Sequence, residues 1–410
     1  MKKLFALLLS LAMVLALVAC GQKDPTPDTP DTPDDPQTKV EYKVAMITDY
    51  GDITDQSFNQ TTYEACKAFA EDNSIEFSYF KPAGDNTADR VAMIEKAVDE
   101  GFNVIVMPGY AFGGAIVEAA PEFPDVKFIA LDVAAGDLLE TAVAKAGEAY
   151  DYTPENWDLN KYVDMSNVYC AVYQEELCGY MAGYATVKLG YKSLGFLGGM
   201  AVPAVVRYGY GFVQGANAAA ADMGLTDVTI NYIYGGQFFG DADITAVMDT
   251  WYQGGTEVVF ACGGGIYTSA VDAAKKVGAK VIGVDVDQAG VIAKYAGVDG
   301  MTVTSAMKGL YPATYDTLTD VIVNGNWDKY VGKIATLGLV SGTDPEANYV
   351  QIPMGDGTQW SDSFTQDDYK AMVKDMFDGK ITVSNNTSSD VSAADFATVI
   401  TVDDQGSIKG

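Results

Sequence analysis

Four charged residues of this chain stand where a parallel sheet would present them to a small molecule. Asp49 follows the apolar run Lys43 to Thr48, Asp132 follows Lys127 to Leu131, and Asp285 follows Lys280 to Val284. Lys308 closes the run that begins at Met301. A carboxylate only accepts hydrogen bonds and an ammonium only donates them, so together they suit a ligand with several polar groups. Asp55 and Asn59 open a helical segment, and the Asn59 amide can both donate and accept. The competing reading for Asp55, and for Asp285 or Asp287, is a helix cap. The chain has no histidine. That removes Ser-His-Asp and Cys-His catalysis and most zinc chemistry, and no base–nucleophile pair stands out among the carboxylates, lysines and tyrosines. Gly263 to Gly265 could cradle a phosphate, but neither GxGxxG nor GK[ST] is present. Close approach of backbone to a neutral ligand is the better reading. The residues call for no cofactor and no metal.

Charge and cysteine usage narrow the classes further. The net charge is −30, which argues against nucleic acid as a partner and disfavours polyanionic ligands. Besides Cys20, the cysteines are Cys66, Cys170, Cys178 and Cys262. None forms a CxxC pair, and each lies in an apolar context, so buried free thiols are expected.

The elements that must position these residues alternate strand and helix. Strand-like runs at 43–48, 75–80, 104–107 and 127–131 are separated by helical patterns such as Ala88 to Glu100, with Val91, Ile94 and Val98 on one face. After an irregular piece from Ala134 to about Met165, the pattern restarts with strands at 167–173, 194–197, 228–234, 257–261, 280–284 and 301–306. This order predicts two doubly wound α/β lobes with mainly parallel sheets. Two lobes also suit the length, because one core stops growing near ~250–300 residues. Ligands of such sheets sit at the carboxyl ends of the strands, so a cleft between the lobes is the expected site.

The N-terminus reads as an address. Lys2 and Lys3 precede an apolar stretch that ends Leu17-Val18-Ala19-Cys20. The stretch is shorter than the ~20 residues a membrane span needs, and it has the layout of a secretory signal, here 1–19. Leu-Val-Ala-Cys resembles the bacterial lipobox, which implies cleavage before Cys20, a lipid on its sulfur, and a place on the extracytoplasmic face of the cell membrane. Residues 20–39 then form a Pro/Thr/Asp tether with too little apolar surface to fold.

Several motifs resemble one family. Thr48-Asp49 with Asp55-Gln56-Ser57-Phe58-Asn59-Gln60, the helix Glu175 to Gly183, Gly195 to Met200, and Gly211-Phe212 with Gly215-Ala216 all match in order. So do Gly283 to Gln288 and Thr304 to Lys308. They resemble the basic membrane protein lipoproteins, which include purine-nucleoside receptors of ABC transporters. The resemblance implies a type I periplasmic-binding-protein-like fold, with three crossovers joining the lobes around the cleft. It places 40–165 plus about 286–325 in the N-terminal lobe, and 166–285 plus about 326–410 in the C-terminal lobe, with Lys333 to Leu339 and Tyr349 to Pro353 as late strands. It implies a purine nucleoside as ligand and an ABC permease as partner. Asp285 and Lys308 would hold the ribose, Asn59 and Asp132 the base, with Asp49 and Asp55 beside them. Phe239 would stack on the base opposite Tyr63 or Phe58, and Met200 would line the pocket. A receptor of the same fold for a sugar or signalling metabolite, feeding a sensor, is the alternative. A carboxylate-based nucleoside hydrolase is the enzymatic one, and the lack of histidine argues against it.

Overall fold

The computed structural model describes residues 41–409. The signal over 1–19, Cys20 and the tether over 20–39 lie outside the described residues. The strands are β1 (Lys43–Ile47), β2 (Glu76–Phe80), β3 (Val104–Pro108), β4 (Lys127–Leu131), β5 (Val168–Tyr173), β6 (Ser193–Gly198) and β7 (Thr229–Tyr234). They continue as β8 (Val258–Cys262), β9 (Lys280–Asp285), β10 (Thr302–Lys308), β11 (Lys333–Leu337), β12 (Val350–Gln351) and β13 (Thr401–Ser407). One sheet runs β11-β5-β4-β3-β1-β2 and the other β12-β10-β9-β8-β6-β7-β13. Every pairing between them is parallel except β10 with β12. β3 and β8 are buried along their whole length, as parallel strands covered on both faces must be.

In each sheet the strand order reverses once beside the first strand of its lobe, between β1 and β3 and between β6 and β8. The loops after those strands therefore diverge and leave a crevice at the carboxyl edge. The register of β9 against β10 sets Asp285 opposite Met307, which makes Lys308 its diagonal neighbour.

Three expected boundaries are corrected. β5, expected in the second lobe, pairs with β4 in the first sheet, so the chain crosses after Tyr173. β10 belongs to the second sheet, and what returns to the first lobe is the helix Leu310–Leu318, whose Tyr315 packs on Phe69 and donates to Asp72 at 2.8 Å. β11 joins the first sheet beside β5, not the second. Which sheet a short apolar run joins depends on distant pairing, and nothing local encodes it. The three crossings lie side by side: Gln174 N–H donates to Leu337 O at 3.0 Å, Tyr349 to Gly338 at 3.0 Å and Gly309 to Tyr349 at 2.7 Å. The segment read as irregular contains the helix Ala135–Lys145, which buries Leu138, Leu139, Ala142 and Val143. Gly136 and Asp137 in its first turn disguise it as a loop. Cys66, Cys170, Cys178 and Cys262 are buried free thiols.

The helices Glu175–Lys188 and Pro203–Met223 pack backbone to backbone. A Cβ on Gly179, Gly183, Gly211 or Gly215 would collide with a carbonyl of the facing helix: Tyr208, Phe212, Glu176 and Tyr180 respectively. Two of the motifs that carry the family resemblance are thus packing motifs. Gly183→Ala should lower stability by ~1–3 kcal/mol through overpacking, read as a lower urea midpoint at unchanged m-value. Gly290→Ala, in a helix where an added Cβ meets nothing within 4 Å, should instead gain ~0.5–1 kcal/mol.

Candidate functional site

The carboxyl edges of the two sheets enclose a cavity of about 540 Å³. Its walls are the ends of β1, β4, β8, β9 and β10, the first turns of the helices Phe58–Asn73 and Pro203–Met223, and the loop after β7. Asp132 and Asp285 both adopt left-handed backbone, with φ of 60° and 65°. Aspartate tolerates this region better than most side chains. At both positions the chain turns out of its strand as the carboxylate reaches the cavity.

Lys308 is the centre of the site. Its side chain is 3% exposed. Its Nζ is ion-paired with Asp132 of the other lobe and lies 3.4 Å from Glu175 Oε1 and 3.8 Å from Asp285 Oδ1. The rings of Phe58, Tyr173 and Tyr208 surround it at 4.7, 5.3 and 5.6 Å. Burial alone would lower the pKa of the ammonium, but the three carboxylates outweigh it and hold Lys308 charged beyond the ordinary lysine range. Burial pushes Asp132 up to about 6 against the pull of Lys308. Asp285 accepts from Ser57 Oγ at 2.5 Å and from the Tyr208 hydroxyl at 3.3 Å. Gln288 Nε2 donates to the Gln56 carbonyl at 3.2 Å. The bonds to Asp132, Ser57 and Gln56 all cross from one lobe to the other, so the lobes are closed on each other.

The first-lobe wall is built around an amide. Asn59 Nδ2 donates to Asp49 Oδ1 at 3.2 Å and to Asp55 Oδ2 at 3.0 Å. Asp49 also accepts the backbone N–H of Tyr50 and of Gly51. Asp55 accepts those of Ser57, Asn59 and Gln60, which makes it the cap of its helix as well as a wall residue. Burial raises both carboxyls above the ordinary aspartate range even though these bonds oppose it. Asn59 Oδ1 and Asp132 Oδ1 are buried acceptors without a hydrogen-bond partner among the described residues.

Of the residues named from the sequence, Asp49, Asp55, Phe58, Asn59, Asp132, Phe239, Asp285 and Lys308 line this cavity. Tyr63, Met200 and Asp287 do not. Tyr63 sits one helical turn beyond Asn59, away from the strand ends, and packs on Phe77 and Tyr79 at 5.6 and 5.4 Å. Phe58 takes the wall position instead, against Lys308. Met200 stands beside the wall, its sulfur 3.9 Å from the Tyr110 hydroxyl. Phe239 is 53% exposed and lies at the mouth, whereas Phe238 is wedged against Gly199 and Gly263. Asp287 lies outside the lining and accepts the N–H of Ala289 at 3.1 Å as a cap.

Sequence reading missed Tyr110, Asp137, Arg207 and Tyr208 of the lining, and Glu175 behind it. Arg207 did leave a signal: it is the sole charge between Pro203 and Ala221. A lone arginine on an apolar helix needs a partner, and its Nε donates to Glu175 Oε2 at 2.7 Å. Glu175 thus ties Arg207 and Lys308 together. No group of side chains among the described residues could hold a metal ion.

Two parallel α/β lobes, three adjacent crossings and a polar cleft between strand ends define a type I periplasmic-binding-protein-like fold. Solved structures share it. An ABC transporter system solute-binding protein from Aeropyrum pernix K1 superposes with a TM-score of 0.59 at 19% identity, covering 83% of this chain and 87% of that one. One from Conexibacter woesei gives 0.58 at 20% identity, over 84% and 99%. The chain belongs to the Bmp family, ABC transporter substrate-binding protein PnrA-like, whose model matches residues 42–345. It is a transporter's substrate-binding protein and not an enzyme. Among relatives, the ABC transporter nucleoside-binding protein BmpA of Lactococcus lactis is 24% identical over 92% of this chain and 96% of its own length. Basic membrane protein B of Borreliella burgdorferi is 26% identical over 76% and 83%.

Asp137 gives the site a pH signature. Burial pushes its carboxyl up to about 7, although Oδ2 accepts the Ala134 N–H at 2.7 Å. A pKa raised on folding means stability is lost as pH rises from about 4, the unfolded value, through about 7. Asp137→Asn should therefore be more stable than the parent at pH 8. The pH-dependent part of that gain should vanish below about pH 4, as measured by urea titrations across the range.

Proposed function

We propose that this protein binds a purine nucleoside in the cleft and delivers it to an ABC permease, held to the membrane by a lipid on Cys20. The observation that carries this is the balance of donors and acceptors in the cavity. Six carboxylates line it, from Asp49, Asp52, Asp55, Asp132, Asp137 and Asp285. Its two buried orphan atoms, on Asn59 and Asp132, are acceptors too. The cations Lys81, Arg207 and Lys308 are already paired with carboxylates. The site thus asks for a ligand that donates hydrogen bonds and brings no negative charge. A nucleoside does this with its ribose hydroxyls and base N–H groups, whereas a nucleotide phosphate would meet an acidic wall.

Shape agrees with this reading. A cavity of about 540 Å³ lies within the ~300–1,000 Å³ usual for small ligands. Phe58, Tyr110 and Phe239 offer flat rings around it, and ring stacking contributes ~0.5–1.5 kcal/mol per pair beyond area burial. The ribose diol would donate to Asp285, beside Lys308. Contacts made only in the closed form would shift the population of the lobes toward closure. The names of the relatives support both halves of the proposal: one is called nucleoside-binding, and others are called basic membrane protein or lipoprotein.

Ribonucleosides, bases, nucleotides and free sugars should be screened by thermal shift. A purine nucleoside at ~100 times its Kd should add ~2.7 kcal/mol, and Asp285→Asn should weaken binding at least about tenfold by removing a charge-assisted acceptor. A shift with a sugar alone would replace the nucleoside as the ligand. In the cell, Cys20→Ala should move the protein out of the membrane fraction, as read by fractionation. Retention there would sink the anchor.

A further inference from the structure

The family match ends at residue 345, yet the chain beyond it returns to the binding cleft. β13 adds to the edge of the second sheet, parallel to β7, and Ile408 N–H donates to the Tyr234 carbonyl at 2.8 Å. That carbonyl belongs to the last residue before the loop Gly235–Gly240, which carries Phe238 and Phe239 into the cavity wall. Lys409 comes next. Its Nζ donates to Gln237 Oε1 at 2.7 Å and is ion-paired with Asp241. The tail backbone lies directly on the loop, since a Cβ on Gly236 would meet the Lys409 carbonyl at 2.7 Å.

The first residues of the loop are tied to the β6 end, Gly235 N–H donating to the Gly198 carbonyl at 2.7 Å and Gly236 N–H to the Gly199 carbonyl at 3.0 Å. Gln237 Nε2 spans the loop, donating to the Phe239 carbonyl and to Asp241 Oδ2, both at 2.9 Å. Gln237, Asp241 and Lys409 therefore form a closed triangle whose enclosed segment is the aromatic pair. On the cavity side, Gly265 N–H donates to the Phe238 carbonyl at 2.8 Å. The pair is thus held from the cleft by the β8 loop and from behind by the tail. Phe239, at 53% exposed, has little packing of its own to fix it.

We propose that Lys409 is a positioning residue for ligand binding, which holds the Phe238–Phe239 wall in place through Gln237 and Asp241. This rests on the reading of the cleft as the ligand site, not on which ligand fills it. A preformed aromatic wall loses less freedom when the ligand arrives, so it slows ligand release.

The test uses the full chain with Lys409→Met, which keeps the stem and removes the charge, and Lys409→Arg, which restores it. Hydrogen exchange of the ligand-free proteins reads the amides of 236–240. Exchange should quicken about tenfold in Lys409→Met, the factor one charge-assisted bond supplies, and return toward the parent in Lys409→Arg with melting temperatures close together. Unchanged loop exchange in Lys409→Met overturns the proposal. Guanosine and inosine dissociation is then measured by stopped flow, and release should also quicken about tenfold. Faster loop exchange with unchanged release overturns the positioning role. Failure of the parent to bind either nucleoside counts against the ligand reading, and the exchange arm still decides the tail's role.

Discussion

A lysine ammonium buried between two lobes governs this structure. Lys308 is out of water, and an uncompensated charge there would cost several kcal/mol. Its counter-charges come from both sides: Asp132 from the first sheet, and Asp285 and Glu175 from the second lobe. The first lobe thereby completes a charge balance that the second lobe leaves shared. Glu175 divides its two oxygens between Lys308 and Arg207, so Asp132 is not a spare partner. With the lobes closed, Asp132 adds the first lobe's counter-charge to those of Asp285 and Glu175.

The location of this network matters as much as its charge. Glu175 lies two residues past Tyr173, where the chain first leaves the first sheet, and Lys308 ends β10 just before the chain goes back. The third crossing, after Leu337, is hydrogen-bonded to the first at Gln174. The ion network therefore sits beside the hinge, where lobe rotation displaces atoms least. Ser57 with Asp285 and Gln288 with the Gln56 carbonyl also span the lobes, each through a single bond.

Acidity has a second role here beyond solubility. Asp49, Asp55, Asp132 and Asp137 are all pushed upward by burial, and most are held by backbone N–H groups or by Asn59 and Lys308. Such a wall stays acceptor-rich while repelling anions. Hydrogen bonds to N–H groups spread each charge without removing its ability to accept one more bond from a ligand.

Much of this was legible in the sequence. Aspartates after apolar runs marked the strand ends, because a parallel strand must finish at the sheet's carboxyl edge and polar residues gather there. The glycine motifs at 179–183 and 211–215 were legible as patterns, and the structure explains them as contact between two helices. The two-lobed α/β class followed from alternating strand and helix periods, which are local properties of the chain. Tertiary structure alone decided which sheet received β5, β10 and β11, since strand pairing is settled between segments that local sequence does not link, β11 joining β5 from more than a hundred residues away. It alone chose Phe58 over Tyr63 for the cavity wall, a matter of one helical turn relative to the strand ends. It alone brought Glu175, Arg207 and Lys409 to the site, because each acts through a partner that is distant in sequence and adjacent only once the lobes and tail have folded.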